Sequence, residues 1–268
     1  MSKRISTAFT NFLADGGSWA AALTGGRIKV YSGSQPASAN DAPTGTLLAV
    51  FTKDGGNYTA GVQATATITL SGSSGTVSAV TVGGMKLMEN SIDFSTDLTT
   101  TAGLLAAEIN LRKLAHGFTA TSSGAVVTLT ARKNSGDNLN GMTVAVTAAT
   151  LSAVINGGSS TTLGGAGATA GVDAVNGLSF MAAVAGLLKK TTDNWQGLGL
   201  VDGIAGWMRF EGSGNDDQSS DAITQKFIRF DCSIGTTGAD INVTNANVAT
   251  GATQTFGKFE LQVPVIQQ

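Results

Sequence analysis

The chain has 268 residues, of which 42% are hydrophobic, 6% aromatic and only 13% charged, with 36 glycines and 3 prolines. A net charge of −2, from 16 basic and 18 acidic residues with no basic run, excludes nucleic-acid binding driven by phosphate contacts, and no apolar stretch approaches the roughly 18–20 residues of a membrane span. The abundance of β-branched and small residues argues against disorder and for many short strands joined by tight turns.

The low charge carries a second implication. A free monomer keeps a well-charged surface for solubility, whereas a subunit covered on several sides does not need one. Met1 to Asp15 mixes polar and apolar residues and lacks the apolar core of a signal peptide, so synthesis and folding in a cytoplasm are expected.

Ile5, Ala8, Phe9, Phe12 and Leu13 recur at helical spacing, and Gly16-Gly17 stops the helix. This helix is either a cover for a sheet end or a docking arm for a neighbouring subunit. Trp19 to Leu23 adds a further turn. Strands are expected at Gly26–Tyr31 and Thr46–Thr52, separated by a polar loop from Ser32 to Gly45. From Gly61 the character changes. Val62, Ala64, Ala66, Ile68 and Leu70 alternate with polar residues, which predicts a half-buried strand. Val77–Val82 and Met85–Phe94 read as two more strands.

A helix is expected next, capped within Thr99–Thr101 and running to about Ala115. Leu104, Ala107, Leu111 and Leu114 form its expected buried stripe, and Glu108 with Arg112 an exposed pair at i,i+4. His116 complements the helix dipole, and Gly117 supplies a left-handed cap. Phe118–Thr121 and Ala125–Ala131 form a hairpin, closed by a strand at Met142–Thr147. Residues 148–171 are rich in Ala, Gly, Ser and Thr and read as flexible. Further strands are expected at Phe180–Leu187, Gly199–Val201, Gly206–Phe210, Phe227–Cys232, Ile241–Val243 and Phe256–Val263. In the fourth of these, Ile228, Phe230 and Cys232 share a face. Cys232 is the sole cysteine and reads as a packed core thiol.

Two groups of motifs carry a resemblance. The outer pieces contain Ile28-Lys-Val-Tyr-Ser-Gly-Ser-Gln-Pro-Ala37, Thr44-Gly-Thr-Leu-Leu-Ala49, Trp195-Gln-Gly-Leu-Gly-Leu200, Ala205-Gly-Trp-Met-Arg-Phe210, Gly235-Thr-Thr-Gly-Ala-Asp-Ile-Asn242 and Ala249-Thr-Gly-Ala-Thr-Gln-Thr255. This series resembles a short structural protein of tailed bacteriophages. The inner piece contains Leu105-Ala-Ala-Glu-Ile-Asn110 followed by the hairpin Phe118–Thr130. It is similar to an element of phage tail, sheath and virion proteins, from which it departs at Lys86–Glu89. The resemblance implies a mainly β protein: an antiparallel, sandwich-like outer domain (residues 1–60 with 172–268) interrupted by a small α+β insertion (61–150), with 151–171 as linker. Such an insertion is physically reasonable, because a surface turn tolerates an excursion whose ends lie close together.

Reactive constellations are sparse. One histidine excludes a multi-histidine zinc site. Asp216, Asp217 and Asp221 are the best candidates for hard oxygen ligands to calcium, although their spacing fits no known loop. The glycine-rich stretches at 163–167 and 197–200 lack the Gly-Lys-Ser/Thr of a phosphate loop. Trp19, Trp195 and Trp207 suggest either a sugar-stacking platform or packing surfaces.

The expectation is therefore a structural subunit, not an enzyme, without cofactor. Its partners would be copies of itself and other virion proteins, in a tail, neck or collar. Phe9, Phe12, Trp19, Trp195 and Trp207 are the candidate interface residues. The alternatives are a head decoration or head-fibre protein, and a carbohydrate-binding adhesin domain.

Overall fold

The computed structural model describes residues 3–14, 16–158, 161–223 and 226–262. The chain is mainly β, with 39% strand and 13% helix, as its composition predicts. It divides into two compact units, residues 1–61 with 174–268 and residues 62–173.

The first unit begins with β1 (Arg4–Ile5), α1 (Thr7–Ala14), α2 (Trp19–Leu23), β2 (Arg27–Ser32) and β3 (Leu47–Lys53). The second holds β4 (Thr65–Ser71), β5 (Thr76–Val82), β6 (Met85–Lys86), β7 (Ile92–Asp93), α3 (Leu98–Leu111), α4 (Lys113–His116), β8 (Thr119–Ser123), β9 (Val126–Thr130), β10 (Val144–Ala149) and β11 (Ser152–Ile155). The first unit then resumes with β12 (Leu187–Lys189), β13 (Trp195–Leu198), β14 (Gly203–Glu211), β15 (Arg229–Gly235), β16 (Ile241–Asn242), β17 (Asn247–Val248), β18 (Thr253–Phe256) and β19 (Glu260–Gln262).

In the first unit a nine-stranded sheet follows the path β1-β15-β14-β2-β3-β13-β18, with β16 joined to β15 and β17 to β14. All its pairs are antiparallel except β15 with β16. β12 and β19 form a separate two-stranded sheet. Leu188 and Leu261 from that pair, with Phe259 just before β19, pack in one core with Ile28, Val30, Trp195, Met208, Phe210 and Phe230 of the large sheet. Burying each such side chain contributes about 1.5–3 kcal/mol. The helix α1 covers this same core. Ser6 Oγ accepts the Phe9 N–H at 3.2 Å and donates to the Phe227 carbonyl at 2.7 Å, which fixes where the helix starts. Phe9 is fully buried, and Phe12 and Leu13 pack beside it. The cover, not the docking arm, is what the apolar stripe of this helix forms.

Two expected strands are displaced. Of Phe180–Leu187 only Leu187 enters a strand, as the first residue of β12, and the rest contributes isolated bridges, Phe180 to Lys190 and Val184 to Leu187. Ala185 and Gly186 take left-handed backbone conformations there and turn the chain before β12. Gly199–Val201 follows the strand Trp195–Leu198 instead of forming one. Val263, expected on the last strand, lies outside the described residues.

The second unit has two four-stranded sheets. One runs β10-β5-β6 with β7 also on β5, and the other β11-β4-β9-β8. Ala66, Ile68 and Leu70 of β4 are buried, as their alternation predicts. The Val62–Val172 bridge closes the ends of this unit.

Here the structure corrects several expectations. Asp97, not a threonine, caps α3, its side chain accepting the Thr100 N–H at 2.7 Å. The buried face of α3 carries Ala102, Leu105, Ala106 and Ile109, while Leu104 and Leu111 are 44% and 76% exposed. Ala107 is exposed as well, and the Leu114 side chain lies outside what is described. Apolar residues surround this helix, so the register is chosen by packing on the sheet. Glu108 is buried instead of pairing with Arg112. Its Oε1 accepts the Glu89 and Asn90 backbone N–H groups at 3.1 and 2.9 Å, and Arg112 pairs with Glu89. That anchored turn breaks the expected strand 85–94 into the two-residue β6 and β7, with Leu87 and Met88 driven into the core.

Asn110, the last residue of the Ala-Ala-Glu-Ile-Asn motif, acts as a short strand. Its side-chain Nδ2–H donates to the Ala120 carbonyl at 2.8 Å, and its Oδ1 accepts the Ala120 N–H at 2.9 Å. It thereby covers part of the β8 edge. The expected linker is also corrected. Residues 152–155 form β11, paired with β4, and Leu151 and Leu163 are buried in the core of the second unit. Enough apolar side chains lie within this small-residue tract to hold it in place.

Candidate functional site

Two features of the first unit stand out: a buried ionic layer and an exposed aliphatic run. The ionic layer follows from strand alternation. Ile28 and Val30 of β2, Met208 and Phe210 of β14, and Phe230 and Cys232 of β15 face the apolar core. Period 2 then sends Lys29 and Tyr31, Trp207, Arg209 and Glu211, and Arg229 and Asp231 to the opposite face. That face is not solvated. Arg209, Arg229, Asp231, Trp207 and Glu211 are each 2% exposed or less, because the loops after β2 and β14 lie over them.

The antiparallel register places Arg209 opposite Asp231. Arg209 Nε and Nη2 donate to the two Asp231 oxygens at 2.8 Å each. Arg229 Nε and Nη2 donate to Asp216 at 2.7 and 2.6 Å. The Asp41 carbonyl accepts from Arg209 Nη1 at 3.1 Å, and the Ser219 carbonyl from Arg229 Nη2 at 2.9 Å. Trp207 Nε1–H reaches the Thr44 carbonyl at 3.2 Å, and its ring stacks on Tyr31 with centroids 4.5 Å apart. Both loops are thus tied to the sheet by charge-assisted bonds, which are roughly twice as strong as neutral ones.

Burial sets the titration behaviour of this layer. It opposes the Arg209 charge, but the hydrogen bonds and charge of Asp231 outweigh it and hold the guanidinium above its usual range. Burial pushes the Asp231 carboxyl up against the pull of Arg209. It lowers the Lys29 ammonium, partly offset by Glu211. Burial, reinforced by the Glu211 charge, raises the Tyr31 phenol, so that group keeps its proton.

The residues singled out from sequence fall as follows. Asp216, Asp217 and Asp221 do not converge. Asp216 is taken by Arg229. Asp217 binds Ser219 and Lys226 at the surface, and Asp221 accepts the Lys226 and Phe227 backbone N–H groups. Among the described residues no group of three or more His, Cys, Asp or Glu side chains could hold a metal ion. The expected interface residues turn inward. Phe9, Trp195 and Trp207 are fully buried in their own unit, and Phe12 and Trp19 are half-buried against the same core. The tryptophans therefore present no exposed stacking platform, and intramolecular packing accounts for them.

Cys232 is fully buried, and desolvation raises its thiol well above the usual value, so it is a packing residue. His116 follows a different course from the dipole reading. Its Nδ1 accepts the Phe118 N–H at 3.1 Å, and Nε2 lies 3.2 Å from the Ile109 carbonyl. Burial lowers its pKa, so it serves as a neutral connector. Gly117 takes the left-handed conformation that the sequence predicts. The glycines at 163–167 and 197–200 lie in turns and at close backbone approaches, and none opens a helix.

The second feature is Leu198, Leu200, Val201 and Ile204, which are 57%, 49%, 45% and 66% exposed. Asp202 is the sole charged residue in this run. The run extends from the last residue of β13 to the second residue of β14, and its connecting part is held by backbone bonds from Leu200 N–H to the Leu48 carbonyl and from Gly199 N–H to the Ala252 carbonyl, at 2.7 and 3.0 Å. Its side chains are presented on a fixed backbone.

Strand alternation alone does not reveal the ionic layer, because polar residues alternating along a strand usually face water. A signal was there, in Arg209-Phe-Glu211 and Arg229-Phe-Asp231, whose charges are complementary in antiparallel register. Among the described residues no helix is long and apolar enough to cross a membrane. No protein-family model, curated protein or solved structure matches this chain.

Proposed function

We propose that the chain is a structural subunit of a tailed-bacteriophage particle, bound to copies of itself and to neighbouring virion proteins, in the tail or its neck and collar. The observation that carries this reading is the exposed aliphatic run Leu198–Ile204 on a chain only 13% charged. Contiguous exposed apolar surface on a fixed backbone marks a protein-interaction site, and a surface this weakly charged suits a subunit covered by others. The sheet edge adds support. β18 ends the large sheet with Thr253-Gln-Thr-Phe256, which has neither charge nor proline to discourage strand addition, and among the described residues it pairs only with β13. Repeated use of one such surface gives a symmetric assembly.

The experiment is a density map of purified tailed particles whose proteins have been identified by peptide mass spectrometry. The reading expects this chain in the particle, in a copy number set by tail symmetry, with Leu200 and Ile204 covered. Placement on the head would move it to the decoration or fibre class. Absence from particles, with the protein left in the soluble lysate, would overturn the proposal.

A further inference from the structure

A constellation between β2, β14 and the loop after β14 has the parts of an acyl-transfer site. Lys29 Nζ lies 2.9 Å from Glu211 Oε1. The Gln218 amide Nε2–H donates to that same oxygen at 2.7 Å. The Tyr31 hydroxyl donates to Gln218 Oε1 at 3.1 Å, where it polarises the amide carbonyl. Arg27 Nε holds the other Glu211 oxygen at 2.7 Å. Lys29, Tyr31 and Glu211 are buried and Gln218 is half-buried. Gln218 sits at φ +65, a conformation unfavourable for a side chain with a Cβ. Asp216 Oδ1 secures it by accepting its N–H at 2.8 Å.

We propose that Lys29 and Gln218 become joined by an intramolecular isopeptide bond, with Glu211 as the proton shuttle. The components match what covalent catalysis requires: an amine, a base on it and a polarised electrophile. Glu211 takes a proton from the Lys29 ammonium. The freed amine pair attacks Gln218 Cδ, and the Tyr31 O–H stabilises the charge that develops on Oε1. Glu211 then delivers its proton to Nε2. The Cδ–Nε2 bond breaks, and ammonia leaves and carries off the remaining proton as ammonium. One C–N bond forms and one breaks, with no oxidant or reductant. Burial favours the uncharged amine at Lys29, and the protonated Tyr31 is the form that can donate. The product would staple the loop after β14 to the sheet. The bond is a single self-modification, and its formation is independent of which particle the chain serves.

The test is the intact mass of the purified full chain after denaturation, followed by a peptide map. The expected result is a mass about 17 Da below that of the sequence, one ammonia per bond formed, and a fragment joining the Lys29 and Gln218 peptides with no tryptic cleavage after Lys29. Lys29→Arg keeps the cation beside Glu211 but removes the amine, and Gln218→Met removes the acceptor at a half-buried loop position. Both should restore the full mass while tryptophan fluorescence reports the fold. Full sequence mass in folded native protein after prolonged incubation would overturn the proposal. So would a loss that persists in Lys29→Arg and maps to Asn140-Gly141, Asn156-Gly157 or Asn176-Gly177, where asparagine can lose ammonia by succinimide formation.

Discussion

Replacing Asp231 by Leu deprives the Arg209 guanidinium of both its carboxylate acceptors. Arg209 and Asp231 are fully buried, and their two hydrogen bonds are each 2.8 Å. The variant leaves Arg209 with the Asp41 carbonyl at 3.1 Å and no counter-charge in contact. Removing one partner of a buried pair costs about 3–5 kcal/mol, a large part of the roughly 5–15 kcal/mol that holds a domain folded. The double variant Arg209→Met with Asp231→Leu removes the orphan cation as well. Apolar replacement of a buried pair is often neutral or stabilising, so the double variant should recover about 2 kcal/mol or more relative to Asp231→Leu. Urea unfolding followed by tryptophan fluorescence reads this directly. All three tryptophans, Trp19, Trp195 and Trp207, lie in the first unit, so the signal is blind to the second. A single variant within about 1 kcal/mol of the native chain, or a double variant no better than the single, would refute the role given to this pair.

Three further outcomes follow from other places in the fold. Asn110→Ala should cost the second unit about 1–3 kcal/mol, because both Ala120 backbone groups lose their partner; hydrogen exchange at the Ala120 amide should rise, with Asn110→Asp falling between the two. Because burial lowers the pKa of His116 below its unfolded value, its contribution to stability is present above about pH 6.5 and fades as pH falls toward the folded pKa, by at most about 1.4 kcal/mol per pH unit; circular-dichroism melts of native and His116→Gln chains at pH 7.5 and 5.5 should differ in their pH dependence. Gly206→Ala should destabilise the first unit by about 1–3 kcal/mol or more, since a Cβ there would strike the Gly33 carbonyl at the irregularity between Ala205 and Trp207 in the β14–β2 pairing; the urea midpoint measures it.

Much of the fold was legible in local patterns. The alternation at β4, the hairpin of β8 and β9, and the Gly117 cap are set by neighbours in sequence, so a reading of neighbours finds them. The sequence pattern locates helix α3 but does not determine its buried face. Leu104 and Leu111 compete with Leu105 and Ile109 for the core, and the winner is decided by the sheet beneath. Residues 151–171 differ from the expected linker because Ala, Gly and Thr dominate the composition, while Leu151 and Leu163 do the anchoring. The five aromatic interface candidates pack inward because of their size: Phe9, Trp195 and Trp207 fill the first unit's interior, Phe12 and Trp19 are half-buried against it, and the run Leu198–Ile204 is among the aliphatic residues left exposed. The Lys29–Glu211–Gln218 constellation was least visible, since its members are separated along the chain and meet only when the loop after β14 folds over the sheet.

Copies of the chain are expected to associate through the exposed run Leu198–Ile204. Sedimentation velocity on the purified full chain over a range of concentrations, beside a Leu200→Lys, Ile204→Lys variant, addresses it directly. The predicted result is a native species heavier than one 26.9 kDa chain, shifted toward the single chain in the variant while tryptophan fluorescence stays unchanged. A native chain that sediments as one 26.9 kDa molecule at every concentration, indistinguishable from the variant, would contradict it.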